Sequence, residues 1–280
     1  MASFRDLSRA SWGSEAWKAL MRVRDAAPVV QCITDFSASM ELMASAVMAT
    51  GASPAMVHAV EEIREFTASR ANAVCINVGT LSPEWLFSMK VAAAQAEELQ
   101  KIWVLDPVGA GATKFRTAKC LELINLRPTV IRGNQMEIMA LAGASASPNK
   151  DGSNPTSDGL EAAKELARIS QSIVCVSGAM DLVTDGKRVL GVSNGVPMMH
   201  KITASGSAMT GLIAAFVSVH PPPRALEAAA FALAIFGLAG ELGMEKASGP
   251  ASLAMHLVDA LHQLASEESL VTSRIKIGQI

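Results

Sequence analysis

The stretch Thr203-Ala204-Ser205-Gly206-Ser207-Ala208-Met209-Thr210-Gly211 runs directly into the apolar segment Leu-Ile-Ala-Ala-Phe. Small residues at the start of a helix leave several amide N–H groups aimed outward, and the helix dipole adds partial positive charge. That is an anion hole, suited to the charge that develops in phosphoryl transfer. The same residues also fit an ordinary N-cap, with Ser205 or Ser207 bonding backbone amides. Upstream, Asp106-Pro-Val-Gly109-Ala-Gly111-Ala-Thr places a carboxylate before a glycine-rich loop. Such a loop suits phosphate or Mg²⁺ handling, because glycine lets the backbone approach a ligand closely. A tight turn capped by Asp106 explains it equally well. Two familiar motifs are excluded: Lys114 stands where GxGxxG needs its third glycine, and no GxxxxGK[ST] occurs. Arg132-Gly-Asn134-Gln-Met-Glu137 offers a guanidinium for a phosphate and an acid for Mg²⁺-bound water. Asn134 and Glu137 also have the spacing of a capping box. Ser177 can donate to a phosphate or sit as a turn serine.

These residues must be held by something, and the hydrophobic pattern says what. Short continuous apolar runs at 29–33, 55–57, 73–78, 102–105, 129–132 and 173–177 read as strands. Helix-like stretches at 40–50, 60–68, 83–100, 116–126, 135–142 and 160–170 alternate with them. A hairpin turns around Asp185-Gly186. Helices at 206–219, 224–242 and 250–265 close the chain, and one at 14–25 opens it. The alternation predicts an α/β fold whose mostly parallel sheet is covered by helices on both faces. Ligands of such sheets bind beyond the carboxyl ends of the strands. Asp106, Arg132 and Ser177 all fall there. The loop 147–159 is the one plain interruption, and residues 1–280 read as a single domain.

Composition narrows the function. Of 280 residues, half are hydrophobic, and 24 Lys+Arg balance 26 Asp+Glu. No broad basic field exists for nucleic acid or an anionic membrane. The apolar runs 208–219 and 228–240 are shorter than the ~18–20 residues of a membrane span. The first residues lack the apolar core of a secretory signal, so a cytoplasmic location is expected. The four cysteines form no CxxC pair, and Cys75 and Cys175 sit inside strand-like runs. They read as small buried hydrophobes in a reducing compartment.

In this order, VQCITDF, GASPAM, NVGTLSPEW, LDPVGAGATKFRT, VIRGNQMEIMALAG and the TASGS helix closely resemble hydroxyethylthiazole kinases, a family of the ribokinase-like superfamily. The resemblance covers residues 16–264. It implies a ribokinase-like three-layer fold. It implies transfer of a phosphoryl group from Mg·ATP to the hydroxyl of 4-methyl-5-(2-hydroxyethyl)thiazole, a thiamin-salvage step. It also implies a homotrimer with the thiazole bound between subunits. Met56 matches a thiazole-contacting methionine, and Arg132 and Ser177 match ATP-binding positions. Asp106, Asn134 and Glu137 match residues around the phosphates and Mg²⁺, with Gly109 and Gly111 shaping the loop. Ala204, Ser205, Gly206 and Ser207 align with the anion hole, which in the family reads Gly-x-Gly-Cys.

The departures cluster in the acceptor half. Ala204 replaces the glycine and Ser207 the cysteine; Asp35 and Ser45 stand where the family has asparagine; the segment between Phe36 and Met40 is one residue longer. A serine hydroxyl is far less acidic than a thiol and makes a poor base. Losing a base costs about 10²–10⁴ in rate where positioning and charge stabilisation carry most of the catalysis. The expectation is a slow thiazole kinase in which Ser207 orients the alcohol. The alternatives are a non-catalytic relative that binds nucleotide, thiazole or protein, and a kinase for another small alcohol.

Overall fold

The computed structural model describes residues 9–34, 38–143 and 155–280. The chain runs α1 (Arg9–Ala26), β1 (Val29–Ile33), α2 (Ala38–Ala49), β2 (Ser53–Met56), α3 (Val60–Ser69), β3 (Ala73–Asn77), α4 (Pro83–Glu98), β4 (Ile102–Asp106), α5 (Lys114–Ile124) and β5 (Val130–Asn134). It continues through α6 (Gln135–Leu141), α7 (Pro155–Ser170), β6 (Ile173–Ser177), β7 (Asp181–Thr184), β8 (Val189–Val192), α8 (Ser205–Ser218), α9 (Ala225–Met244), α10 (Pro250–Gln263), α11 (Glu268–Arg274) and β9 (Ile277–Gln279).

The described strands form one sheet of nine, ordered β2-β1-β3-β4-β5-β6-β7-β8-β9. From β2 to β6 the pairing is parallel, and from β6 to β9 it is antiparallel. Successive strand side chains point to opposite faces, and here each face meets its own core. Val30, Cys32, Ala73, Cys75, Val104, Val130 and Cys175 pack with α1, α2, α8, α9 and α10. Ile33, Val74, Ile76, Trp103, Leu105, Ile131 and Val174 pack with α4, α5, α6 and α7. Burial on both faces is why these strands read as unbroken apolar runs.

The helix at the centre of the first layer is α8. Gly211 lets it lie close on α2: a Cβ there would stand 2.9 Å from the Met43 side chain. That last glycine of the 203–211 stretch therefore serves packing. The strands expected at 29–33 and 173–177 end where predicted. Others shift by one or two residues; β2, for example, starts at Ser53. The hairpin turns at Asp185-Gly186, with Gly186 at φ 85, and the Asp185 carboxylate accepts from the amides of Lys187 and Arg188. Two C-terminal elements, α11 and β9, were not expected.

One expectation needs correction. The run Pro222–Met244 spans 23 residues and is long and apolar enough to cross a bilayer by length and composition. Of its most apolar stretch, 94% is instead buried inside the protein, in the α8–α9–α10 layer. The loop expected at 147–159 lies mostly outside the described residues, as do Asp35, Phe36 and Ser37 at the start of the lengthened segment before Met40.

Candidate active site

Alternation along the strands fixes which polar side chains share a space. Counting two residues on from Cys75, Val104 and Val130, all on the α8 face, gives Asn77, Asp106 and Arg132. Asn77 and Asp106 are register partners in β3 and β4. Above them the first two turns of α8 present Gly206, Ser207 and Thr210.

Arg132 organises the cluster. Its Nη2 donates to Ser177 Oγ at 2.8 Å, and its Nη1 lies 3.8 Å from Asp106 Oδ1. A Cβ on Gly206 would sit 2.4 Å from Nη1, so the guanidinium rests on the glycine of the helix start. The first amides of a helix have no partner within it. Strand-end cation and helix-start amides therefore face the same space, a strong arrangement for an anion. Ala204 caps α8 at φ 64, ψ 12, in the left-handed region, where the resemblance has glycine. Ser205 uses its hydroxyl on the Met199 carbonyl at 3.0 Å.

Asp106 is fully buried. Its Oδ2 accepts from Asn77 Nδ2 at 2.9 Å and lies 3.1 Å from Thr210 Oγ1. Oδ1 has no hydrogen-bond partner among the described residues. Burial pushes the carboxyl up to about 6; the Arg132 charge works against this and the Glu137 charge adds to it. Ser207 Oγ accepts from Asn77 Nδ2 at 2.7 Å and donates to Ser39 Oγ, at the start of α2, at 3.1 Å.

Asn134 and Glu137 form the capping box of α6: Asn134 Oδ1 accepts from the Glu137 amide, and Glu137 Oε2 accepts from the Asn134 amide. The other oxygen, Oε1, accepts from the Gly109 amide at 2.8 Å. Glu137 thus ties the glycine-rich loop to α6 while each oxygen keeps a lone pair. Gly109 and Gly111 adopt φ 75 and 90, conformations that favour glycine. The Gly111 amide donates to Thr117 Oγ1, so both amides are already engaged within the protein. No group of three or more His, Cys, Asp or Glu gathers into a metal cluster among the described residues.

Beside Arg132 lies a cavity of about 360 Å³, bounded by Ser177, Gly178, Asp181, the 194–200 segment and the apolar side chains Met209, Leu233 and Phe236. Asp181 is buried in its wall, and burial pushes its carboxyl up to about 6 against the Gly178 amide bond and the charges of Arg132 and His200. Sequence reasoning missed this cavity, because its walls come from segments far apart in the chain. It also missed Asn77, Thr210 and Ser39. A polar residue ending a buried strand, as Asn77 does after Ala-Val-Cys-Ile, was the available signal.

The acceptor-side residues are more scattered. Met56 ends the edge strand β2, half-buried, opposite Cys32 of β1. Ser45 lines a second groove, of about 660 Å³, between α2, α10 and the 201–203 segment, which leads into Ala204. Asp35 lies outside the described residues. All four cysteines are free and buried, and burial raises every one of their thiols.

The hydroxyethylthiazole kinase family profile matches residues 20–267. The chain is 53% identical to a hydroxyethylthiazole kinase of Zea mays, over 99% of this chain and 98% of that one. A hydroxyethylthiazole kinase structure from Pyrococcus horikoshii superimposes with a TM-score of 0.87 at 39% identity, covering 95% of this chain and 99% of that one. A ribokinase-like superfamily protein from Enterococcus faecalis shares the fold, with a TM-score of 0.66 at 15% identity over 96% and 98% of the two chains.

Proposed function

This chain belongs to the hydroxyethylthiazole kinase family and is a phosphotransferase acting on a thiazole alcohol; we propose that transfer from ATP to 4-methyl-5-(2-hydroxyethyl)thiazole takes place between Arg132 and the first turn of α8. The observation that carries this reading is the seat of the Arg132 guanidinium on Gly206. Strand-end charge and helix-start amides converge there on one space, where the transferring phosphoryl group needs positive potential. The nucleoside lies in the cavity beside Arg132, whose volume suits a small ligand. Ser177 holds Arg132 toward the phosphates. Asn134, Gly109 and Gly111 shape the loop that borders them.

Mg²⁺ fits the residues present. Asp106 Oδ1 is buried without a hydrogen-bond partner among the described residues, and Glu137 can reach the ion through water. Two acids leave most of an octahedral shell to phosphate oxygens and water, the arrangement Mg²⁺ prefers. When bound, it would neutralise charge on the phosphate oxygens.

On the acceptor side, Ala204 and Ser207 meet the alcohol, with Asp35, Ser45 and Met56 contributing to the thiazole pocket. Ser207 accepts a hydrogen bond from the alcohol and orients it, and without a strong base turnover is slow. A trimer completes the pocket. Support comes from Met56 on an edge strand and from the open groove beside Ser45, rimmed by the exposed side chain of Met255. Residues 1–280 act as one kinase domain, in a reducing cytoplasm that suits four buried free thiols.

The test is product formation from the thiazole alcohol and Mg·ATP, with Ser207→Cys and Arg132→Ala alongside. Expected is slow ATP-dependent phosphorylation by the unmodified chain, a faster rate with Ser207→Cys, and loss of ATP-supported product with Arg132→Ala. No product from either of the first two, with ATP still bound, would shift the reading to a binding protein or to another small alcohol.

A further inference from the structure

Asn77 closes β3 and is 1% exposed, yet nothing described so far gives it a task. Its carboxamide gives both N–H groups and accepts one bond. Nδ2 donates to Asp106 Oδ2 at 2.9 Å and to Ser207 Oγ at 2.7 Å, while Oδ1 accepts from the Gly79 amide at 2.7 Å. The three bonds fix its orientation. Turned over, Oδ1 would face a carboxylate oxygen and the amino group would face an N–H donor. One planar group therefore spans the acid of β4 and the hydroxyl of α8.

The consequence for Ser207 follows from counting. A hydroxyl has one hydrogen and two acceptor sites. The hydrogen goes to Ser39 Oγ at 3.1 Å, and Asn77 fills one acceptor site. A single lone pair remains. An incoming alcohol can therefore meet Ser207 only as a donor, which leaves the alcohol's own lone pairs free to attack phosphorus. Without Asn77 the Ser207 oxygen would be held by Ser39 alone, free to swing off the position from which its remaining lone pair meets the alcohol.

We propose that Asn77 is a positioning residue for phosphoryl transfer: it pins the Ser207 oxygen so that its one remaining lone pair meets the alcohol, and it sets the distance of that oxygen from Asp106. This rests on the reading of Ser207 as the group that faces the alcohol.

The experiment is a double-mutant cycle in the full chain with thiazole alcohol and Mg·ATP, comparing wild type, Asn77→Ala, Ser207→Ala and the double variant, with Tm measured for all four. Asn77→Ala should lower kcat about tenfold or more, the worth of a bond between well-placed groups, while KM for ATP changes less than about threefold. In the Ser207→Ala background the same change should cost less than about a further threefold, because interacting residues are not additive. Multiplicative losses, or a lower Tm with kcat unchanged, would overturn the proposal and leave Asn77 a structural residue. A silent Ser207→Ala would overturn it together with the reading of Ser207, and is told apart by the single variant alone. Should Asn77→Ala fail to fold, Asn77→Thr suits a strand but is too short to bridge Asp106 and Ser207, and the same cycle applies.

Discussion

At the scale of single residues, Ala204 shows what a left-handed position costs an alanine. Its φ of 64 lies in the left-handed region, where an L-residue is disfavoured by about 1–2 kcal/mol. Replacing it with glycine relieves that strain but loosens the unfolded chain, which costs about 0.4–1 kcal/mol. The first effect is the larger. Ala204→Gly should therefore stabilise the protein by about 0.5–1 kcal/mol, a rise in Tm of roughly 2 °C for a chain of this size. An unchanged or lower Tm would mean that the turn before α8 relaxes when free to do so. Sequence alone raised this question and could not answer it, because φ at Ala204 is dictated by where α8 must begin over Arg132. The same limit hid Asn77. Asp106 and Ser207, the groups it joins, lie 29 and 130 positions away, and an asparagine ending a strand reads locally as a turn residue. Arg132, Asp106 and Ser177 were legible because each lies at the carboxyl end of a strand in a parallel sheet.

At the scale of elements, the glycine-rich loop is held from two sides. Glu137 on α6 takes the Gly109 amide. Arg116, in the first turn of α5, directs Nη1 at the carbonyls of Val78, Gly79 and Val108. Gly109 makes room for the Arg116 stem, since a Cβ there would lie 3.0 Å from Cδ. Arg116 therefore clamps the ends of β3 and β4, which carry Asn77 and Asp106, through one nitrogen of its guanidinium. Arg116→Ala should lower kcat/KM for Mg·ATP about tenfold and cost about 1–3 kcal/mol of stability, the range for bonds to a charged donor. Arg116→Lys should recover part of both, because an ammonium also carries several donors on one nitrogen. Wild-type kinetics in the lysine variant would show that a point charge suffices. Elements with strong local signals, such as β1 and β6, were readable to the residue. The short α11 and three-residue β9 were not, because β9 exists only through its antiparallel pairing with β8, a contact that no local pattern encodes.

At the scale of the whole molecule, the site taxes stability in a way that depends on pH. Asp106 and Asp181 both ionise near 6 in the folded chain, against an ordinary value near 4. The native state thus holds these protons more tightly than the unfolded state. Their contribution is fully present below about pH 4 and is lost as pH rises through about 6. Keeping each one ionised at neutral pH costs on the order of 3 kcal/mol, less any sharing between two groups that both feel Arg132. Paired surface carboxylates act in the opposite sense. Hydrogen bonds and charges from Arg224 and Lys18 hold Glu15 below its ordinary value, and those from Lys119 and Lys90 hold Glu122 below its own, so their support fades as pH falls below about 4.5. They are solvent-accessible, at most partly buried pairs of small individual worth, so the buried acids dominate above pH 5. The metal- and nucleotide-free protein should therefore be most stable near pH 5 and lose Tm steadily toward pH 7.5. Asp106→Asn and Asp181→Asn, which mimic the protonated acids, should flatten that decline, matching wild type near pH 4.5 and exceeding it at pH 7.5. A wild-type Tm that rises from pH 5 to 7.5 would mean that Arg132 already keeps both carboxylates charged. The acids would then stand ready for the phosphates at no cost to the fold, and the pull of Arg132 would outweigh burial on both sides of the site.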